Sequence, residues 1–102
     1  IIMVKHVILW KLKEELTAEE KENVKAGIKE GLEGLAGKVP GLVDVKVNIN
    51  GLPSSTVDVM LDTTFTDADA LKAYSTNPLH VAVADGKVRP YTAVRSCLDY
   101  EV

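Results

Sequence analysis

The chain has 102 residues, 46% of them apolar and 26% charged, with a formal net charge of −3. That length and composition make one ordinary domain with a single core, and no apolar run reaches the length a bilayer needs. The acidic balance offers no basic field for phosphates, so neither nucleic acid nor a membrane is an expected partner.

Ile1 and Ile2, ahead of Met3, read as a processing or cloning remnant without the features of a signal peptide, which leaves one domain over residues 3–102. From Ile2 to Leu12 the residues alternate. Val4, His6, Ile8, Trp10 and Leu12 share one face, and Met3, Lys5, Val7, Leu9 and Lys11 the other. Both faces are largely apolar, so this strand needs a covering layer on each side, and the second layer need not come from the same chain.

Thr17-Ala-Glu-Glu20 is a capping box that opens a helix to about Ala36, with Val24, Ile28, Leu32 and Leu35 as its apolar stripe. Gly27, Gly31 and Gly34 weaken that helix unless another element approaches closely. Val39-Pro-Gly41 ends the segment. A second strand then alternates Val43, Val45, Val47 and Ile49 against polar residues, and Gly51-Leu-Pro-Ser-Ser55 connects it to a third, from Thr56 to Phe65. Thr66 can cap a second helix carrying Leu71 and Tyr74. Asn77-Pro78 interrupts it and starts a new one, with Asn77 as N-cap and Pro78 at the first helical position.

After Gly86 and Pro90 the last strand sets Val94, Ser96, Leu98, Tyr100 and Val102 against Ala93, Arg95, Cys97 and Asp99. The order β-α-β-β-α-β predicts an α+β ferredoxin-like domain, a four-stranded antiparallel sheet with its helices on one face. The bare apolar face is expected to pair with a second copy about a two-fold axis, giving a homodimeric α/β barrel. Val7 and Leu9 then point to the partner, and His6, Ile8 and Trp10 to the helices.

Both histidines lie among apolar residues. His6 is either a core histidine hydrogen-bonded nearby or part of the wall of a pocket between sheet and helices. His80 falls in the first turn after Asn77-Pro78, where the helix dipole disfavours the imidazolium and suits the ring to act as a base. On one continuous helix, Tyr74 and His80 would be rotated about 240° apart, and the break lets them converge. The hydroxyl can then orient a carbonyl while the histidine takes a neighbouring proton. The plainer roles are a core anchor for Tyr74 and a surface position for His80. Asp58, Asp62, Asp67 and Asp69 lack regular ligand spacing, and capping accounts for Asp67 and Asp69, so no metal is expected. The single cysteine, Cys97, rules out an intramolecular disulfide, fits a reducing, cytoplasmic location, and reads as a small buried strand residue.

The opening Met3-Val-Lys-His-Val-Ile-Leu-Trp-Lys-Leu-Lys13, the central Pro40-Gly41, the segment Tyr74-Ser-Thr-Asn-Pro-Leu-His80 and the closing Asp99-Tyr100 resemble the stress-responsive A/B barrel (Dabb) family over nearly the whole chain. The resemblance implies a homodimer whose sheets join into a barrel. The family includes the plant olivetolic acid cyclase, a distant relative in which residues matching Tyr74 and His80 carry an aldol condensation without a cofactor, and one matching His6 lines the pocket. In that enzyme a pocket tyrosine stands where this chain has Ile28, and Trp10 sets a large ring in the apolar part of the pocket, so the resemblance does not by itself imply the same substrate. The resemblance therefore implies either a cofactor-free cyclase, lyase or isomerase, with His80 as base, Tyr74 orienting and His6, Ile8, Trp10 and Ile28 binding a small apolar carbonyl compound, or a non-catalytic oligomer that binds small molecules or protects against stress.

Overall fold

The computed structural model describes residues 3–102; the expected remnant at residues 1–2 lies outside them. The described residues form β1 (Val4–Leu12), α1 (Ala18–Glu33), β2 (Leu42–Asn48), β3 (Val59–Phe65), α2 (Ala68–Thr76), α3 (Pro78–Val83) and β4 (Thr92–Glu101). A π-helical turn at Ala84–Val88 and a 3₁₀ turn at Arg89–Tyr91 join α3 to β4. The strands make one antiparallel sheet in the order β2-β3-β1-β4. This is the expected ferredoxin-like arrangement.

The two faces of β1 are those the alternation assigns. Val4, His6, Ile8, Trp10 and Leu12 are buried, and they meet Ile28 and Leu32 of α1 and Tyr74 of α2 in one core with Leu61 and Phe65 of β3. The opposite face carries the Lys5–Asp62 ion pair at 2.8 Å and leaves Met3, Val94, Leu98, Tyr100 and Val102 exposed on β4 and its neighbour. An apolar sheet face left open by its own helices is a surface awaiting a cover.

Local chemistry fixes the helices. Thr17 and Glu20 form the reciprocal capping box, and the Glu33 carboxylate near the far end of α1 accepts from the Val47 amide at 2.9 Å, tying the helix to β2. Gly31 is where α3 comes close: a methyl group there would stand 2.9 Å from a Val83 methyl, whereas Gly27 faces open space. Gly41 is held in the left-handed region at φ 81°, with Ala70 of α2 2.4 Å from where a β-carbon would lie. Only glycine satisfies both demands.

Several boundaries differ from the sequence reading. The cap of α2 is Asp67 rather than Thr66, with its carboxylate 2.7 Å from the Ala70 amide. β3 starts at Val59, not Thr56, and Asp58 just before it is tied to β1: its amide donates to the Trp10 carbonyl and its carboxylate accepts from the Leu12 amide. A register shift between Leu42 and Asp44 turns Val43 out to solvent and lets Leu42 take its place against the core. Among the described residues no helix is long and apolar enough to cross a membrane.

Candidate functional site

β4 forms an edge of the sheet, and its inner face is exposed along almost its whole length. Arg95, Cys97 and Asp99 on that face, His6, Ile8 and Trp10 of β1, and Tyr74, His80 and Val88 opposite them enclose a cavity of about 390 Å³. The cavity exists because the helices stop short of the edge strand.

The break between α2 and α3 shapes one wall. Asn77 adopts φ −62° and ψ 128°, its amide donates to the Tyr74 carbonyl at 3.1 Å, and its side chain accepts from the Leu79 amide at 2.9 Å. One residue therefore ends α2 and begins α3, with Pro78 placed where a missing amide costs nothing. Across the break the Tyr74 and His80 rings lie 4.0 Å apart between centroids, at 34°. The π-helical turn that follows buries Ala84 and Val88 on the same wall.

Tyr74 is 1% exposed, and its ring also meets His6 at 6.2 Å and Phe65 at 5.0 Å. Its hydroxyl and the Nδ1 of His80 are buried with no hydrogen-bond partner among the described residues. Buried polar groups are nearly always paired, so both atoms are available to a partner in the cavity. Burial raises the Tyr74 phenol to about 12 and lowers His80 from its usual value. The first stays a donor and the second stays neutral, as an acid–base pair around a carbonyl requires.

On the opposite wall, the Nδ1–H of His6 donates to the Asp99 carboxylate at 2.5 Å, and the Cys97 sulfur lies 3.4 Å from the same oxygen. Burial raises Asp99, but the hydrogen bonds from His6 and Cys97 outweigh it and hold the carboxyl below its ordinary value. Arg89 is paired with Asp85 across one turn. A separate groove of about 310 Å³ beside Leu16, Val24 and Tyr91 holds none of the orphaned atoms.

The structure thus brings together five of the six residues singled out in the sequence: His6, Ile8, Trp10, Tyr74 and His80. Ile28 is not on the cavity wall; it is fully buried in the core. Trp10 lines the cavity without filling it. Cys97 is exposed rather than buried, because no helix covers β4. The sequence gives Asp99, Arg95 and Cys97 no place in the site, although alternation puts all three on one face. Their position became informative only with the pairing of His6 opposite Asp99 and Ile8 opposite Cys97. The four aspartates of the acidic stretch do not converge: Asp58 and Asp67 serve backbone amides and Asp62 pairs with Lys5.

No curated protein sequence matches the chain. Among solved structures it is similar to a dimeric protein of unknown function with a ferredoxin-like fold from Bacteroides fragilis, at 35% identity and TM-score 0.92, covering 98% of this chain and 96% of that one. A dimeric ferredoxin-like protein of unknown function from Jannaschia sp. superposes at TM-score 0.78 with 23% identity, over 98% and 99% of the two chains. The hydroxynitrile lyase of Passiflora edulis shares the fold at TM-score 0.73 and 15% identity, over 98% and 93%. The Stress responsive A/B Barrel Domain family matches residues 4–102, and the chain belongs to that family, Dabb.

Proposed function

We propose that the protein is a homodimeric enzyme that carries out general acid–base chemistry of the lyase, cyclase or isomerase kind on a small apolar carbonyl compound. The observation that carries this reading is the pair of orphaned buried atoms, Tyr74 hydroxyl and His80 Nδ1, on a cavity with room for a ligand. Neutral His80 takes a proton from the atom next to the carbonyl, the bonding electrons move onto the carbonyl oxygen, and the Tyr74 O–H donates to the oxyanion that forms. Ile8 and Trp10 supply the apolar wall, His6 the polar one, and Ile28 supports the core behind them.

An open cavity beside His80 favours this reading over a protective oligomer with a collapsed interior. The shared fold with a hydroxynitrile lyase supports the choice of reaction class. The dimeric Bacteroides relative supports pairing, and the exposed Leu98 and Tyr100 support an interface on the open sheet face. The free thiol Cys97 fits a cytoplasmic location.

The test is turnover of a panel of small apolar aldehydes, ketones and hydroxynitriles by the intact protein. Expected is activity on at least one, lowered about 100-fold or more in kcat/KM by His80→Ala and clearly by Tyr74→Phe, since positioned acid–base groups contribute on that scale. Turnover unaffected by both substitutions, or absent across the panel, overturns the assignment.

A further inference from the structure

The wall opposite His80 carries a side-chain cluster to which the acid–base reading gives no proton-transfer step. His6 Nδ1, Cys97 Sγ and an Asp99 carboxylate oxygen all lie within 4.8 Å of one another. The individual separations are 2.5 Å from nitrogen to oxygen, 3.4 Å from sulfur to oxygen and 3.8 Å from sulfur to nitrogen. We propose that these three side chains form a binding site for one thiophilic divalent cation, Zn²⁺ first among them, with its fourth position open to the cavity.

Ligand bonds of about 2.3 Å to sulfur and about 2.0–2.2 Å to nitrogen and oxygen give tetrahedral edges of roughly 3.5 Å from sulfur and 3.3 Å between nitrogen and oxygen. The sulfur–oxygen edge, at 3.4 Å, already matches, and the sulfur–nitrogen edge, at 3.8 Å, must close by about 0.3 Å. The nitrogen–oxygen edge must open by about 0.8 Å, and the Asp99 side chain, 44% exposed, is free to swing that far. In the absence of an ion a proton holds that edge together. Ligation by Nδ1 moves the ring proton to Nε2, and the thiol gives up its own.

The three donors stand on adjacent strands. Cys97 and Asp99 are two apart on one face of β4, and β1 sets His6 directly opposite Asp99. The His6 ring is fixed edge-on by Phe65 and Tyr74, at 6.3 and 6.2 Å. Such a scaffold supplies donors at fixed separation without a flexible loop. One thiolate and one carboxylate neutralise a divalent ion, so it enters a partly apolar cavity at little electrostatic cost. The thiolate selects Zn²⁺ or Co²⁺ over Mg²⁺ and Ca²⁺. Three protein ligands and one open position is the pattern of zinc sites that bind a water or a substrate oxygen. Tyr74, almost wholly buried with its hydroxyl unpartnered, lines the same cavity and offers a donor to whatever occupies that position.

The test uses the full chain, stripped with a chelator and free of any affinity tag. Zn²⁺ is titrated in competition with a chromophoric chelator, and Co²⁺ binding is followed by absorbance. Expected is one ion per subunit and a thiolate-to-cobalt charge-transfer band in the near ultraviolet. Losing an outer-sphere partner weakens metal sites about 10- to 100-fold, so losing a direct ligand in Cys97→Ala or Asp99→Asn weakens Zn²⁺ by about 100-fold or more. Circular dichroism checks that both variants fold, and the wild-type cobalt spectrum needs neither. No binding, no thiolate band, or equal affinity in either variant overturns the site, and none of these readouts depends on turnover.

Discussion

Burial lowers the pKa of His80, and the nearby Arg89 and Arg95 charges act in the same direction, against the Ser75 backbone. In the unfolded chain this imidazole takes its proton near the ordinary 6.5, while the folded protein resists it to lower pH. The stability contributed by the neutral ring is therefore complete above 6.5 and is lost as pH falls from there through the folded value. Two measurements follow. The stability of the wild type is expected to fall more steeply than that of His80→Ala on acidification below 6.5, by denaturant titration. The acid limb of kcat is expected below 6.5, and a limb at or above that value removes His80 as the base. Tyr74 has the opposite sign: its phenol titrates at about 12 instead of 10, so the stability it contributes is present below 10 and is lost between those values. Two pH units correspond to about 3 kcal/mol.

Glu33 is the joint between α1 and β2. Its carboxylate accepts from the Val47 amide and from Lys29 Nζ, both at 2.9 Å, while Lys29 also donates to the Val47 carbonyl at 2.8 Å. The Val47 hydrogen bond leads in holding its carboxyl below the usual 4.5. Glu33→Ala is expected to cost about 1 kcal/mol at neutral pH, since the ion pair is partly exposed and the amide bond carries most of the effect. A cost that persists undiminished well below pH 4.5, where the wild-type carboxyl is also protonated, contradicts this role.

At this scale much was legible in the sequence. Period-two alternation assigned both faces of β1, and Asn77-Pro78 announced the break that lets Tyr74 meet His80. What escaped it has physical causes. Thr66 and Asp67 are adjacent and both capable caps, so composition does not choose between them. The shift that expels Val43 is a property of pairing with β3, not of β2 itself. Alternation says that Arg95, Cys97 and Asp99 share a face, but only the placement of the helices decides that this face is uncovered and looks into a cavity.

On the scale of the whole molecule, the sheet separates two tasks. One face is filled by helices except along β4; the other is open, with Leu98 63% and Tyr100 42% exposed. In the proposed dimer this open face is the interface. Leu98→Asp is expected to shift the protein to monomer in sedimentation equilibrium, because burying an unpaired carboxylate in an apolar contact costs several kcal/mol. A dimer of unchanged affinity in that variant places the interface elsewhere.

β4 belongs to both tasks, with Leu98 and Tyr100 on one side of its backbone and Cys97 and Asp99 on the other. An edge strand held only by β1 is the most easily frayed part of a sheet. Whatever steadies it from one side steadies it for the other, and thermodynamic linkage makes that help mutual. Dilution into monomers is expected to weaken a ligand seated on Cys97 and Asp99, and that ligand to tighten self-association by the same factor. Sedimentation with and without Zn²⁺ measures one side of this equality, and Zn²⁺ titration at several protein concentrations the other.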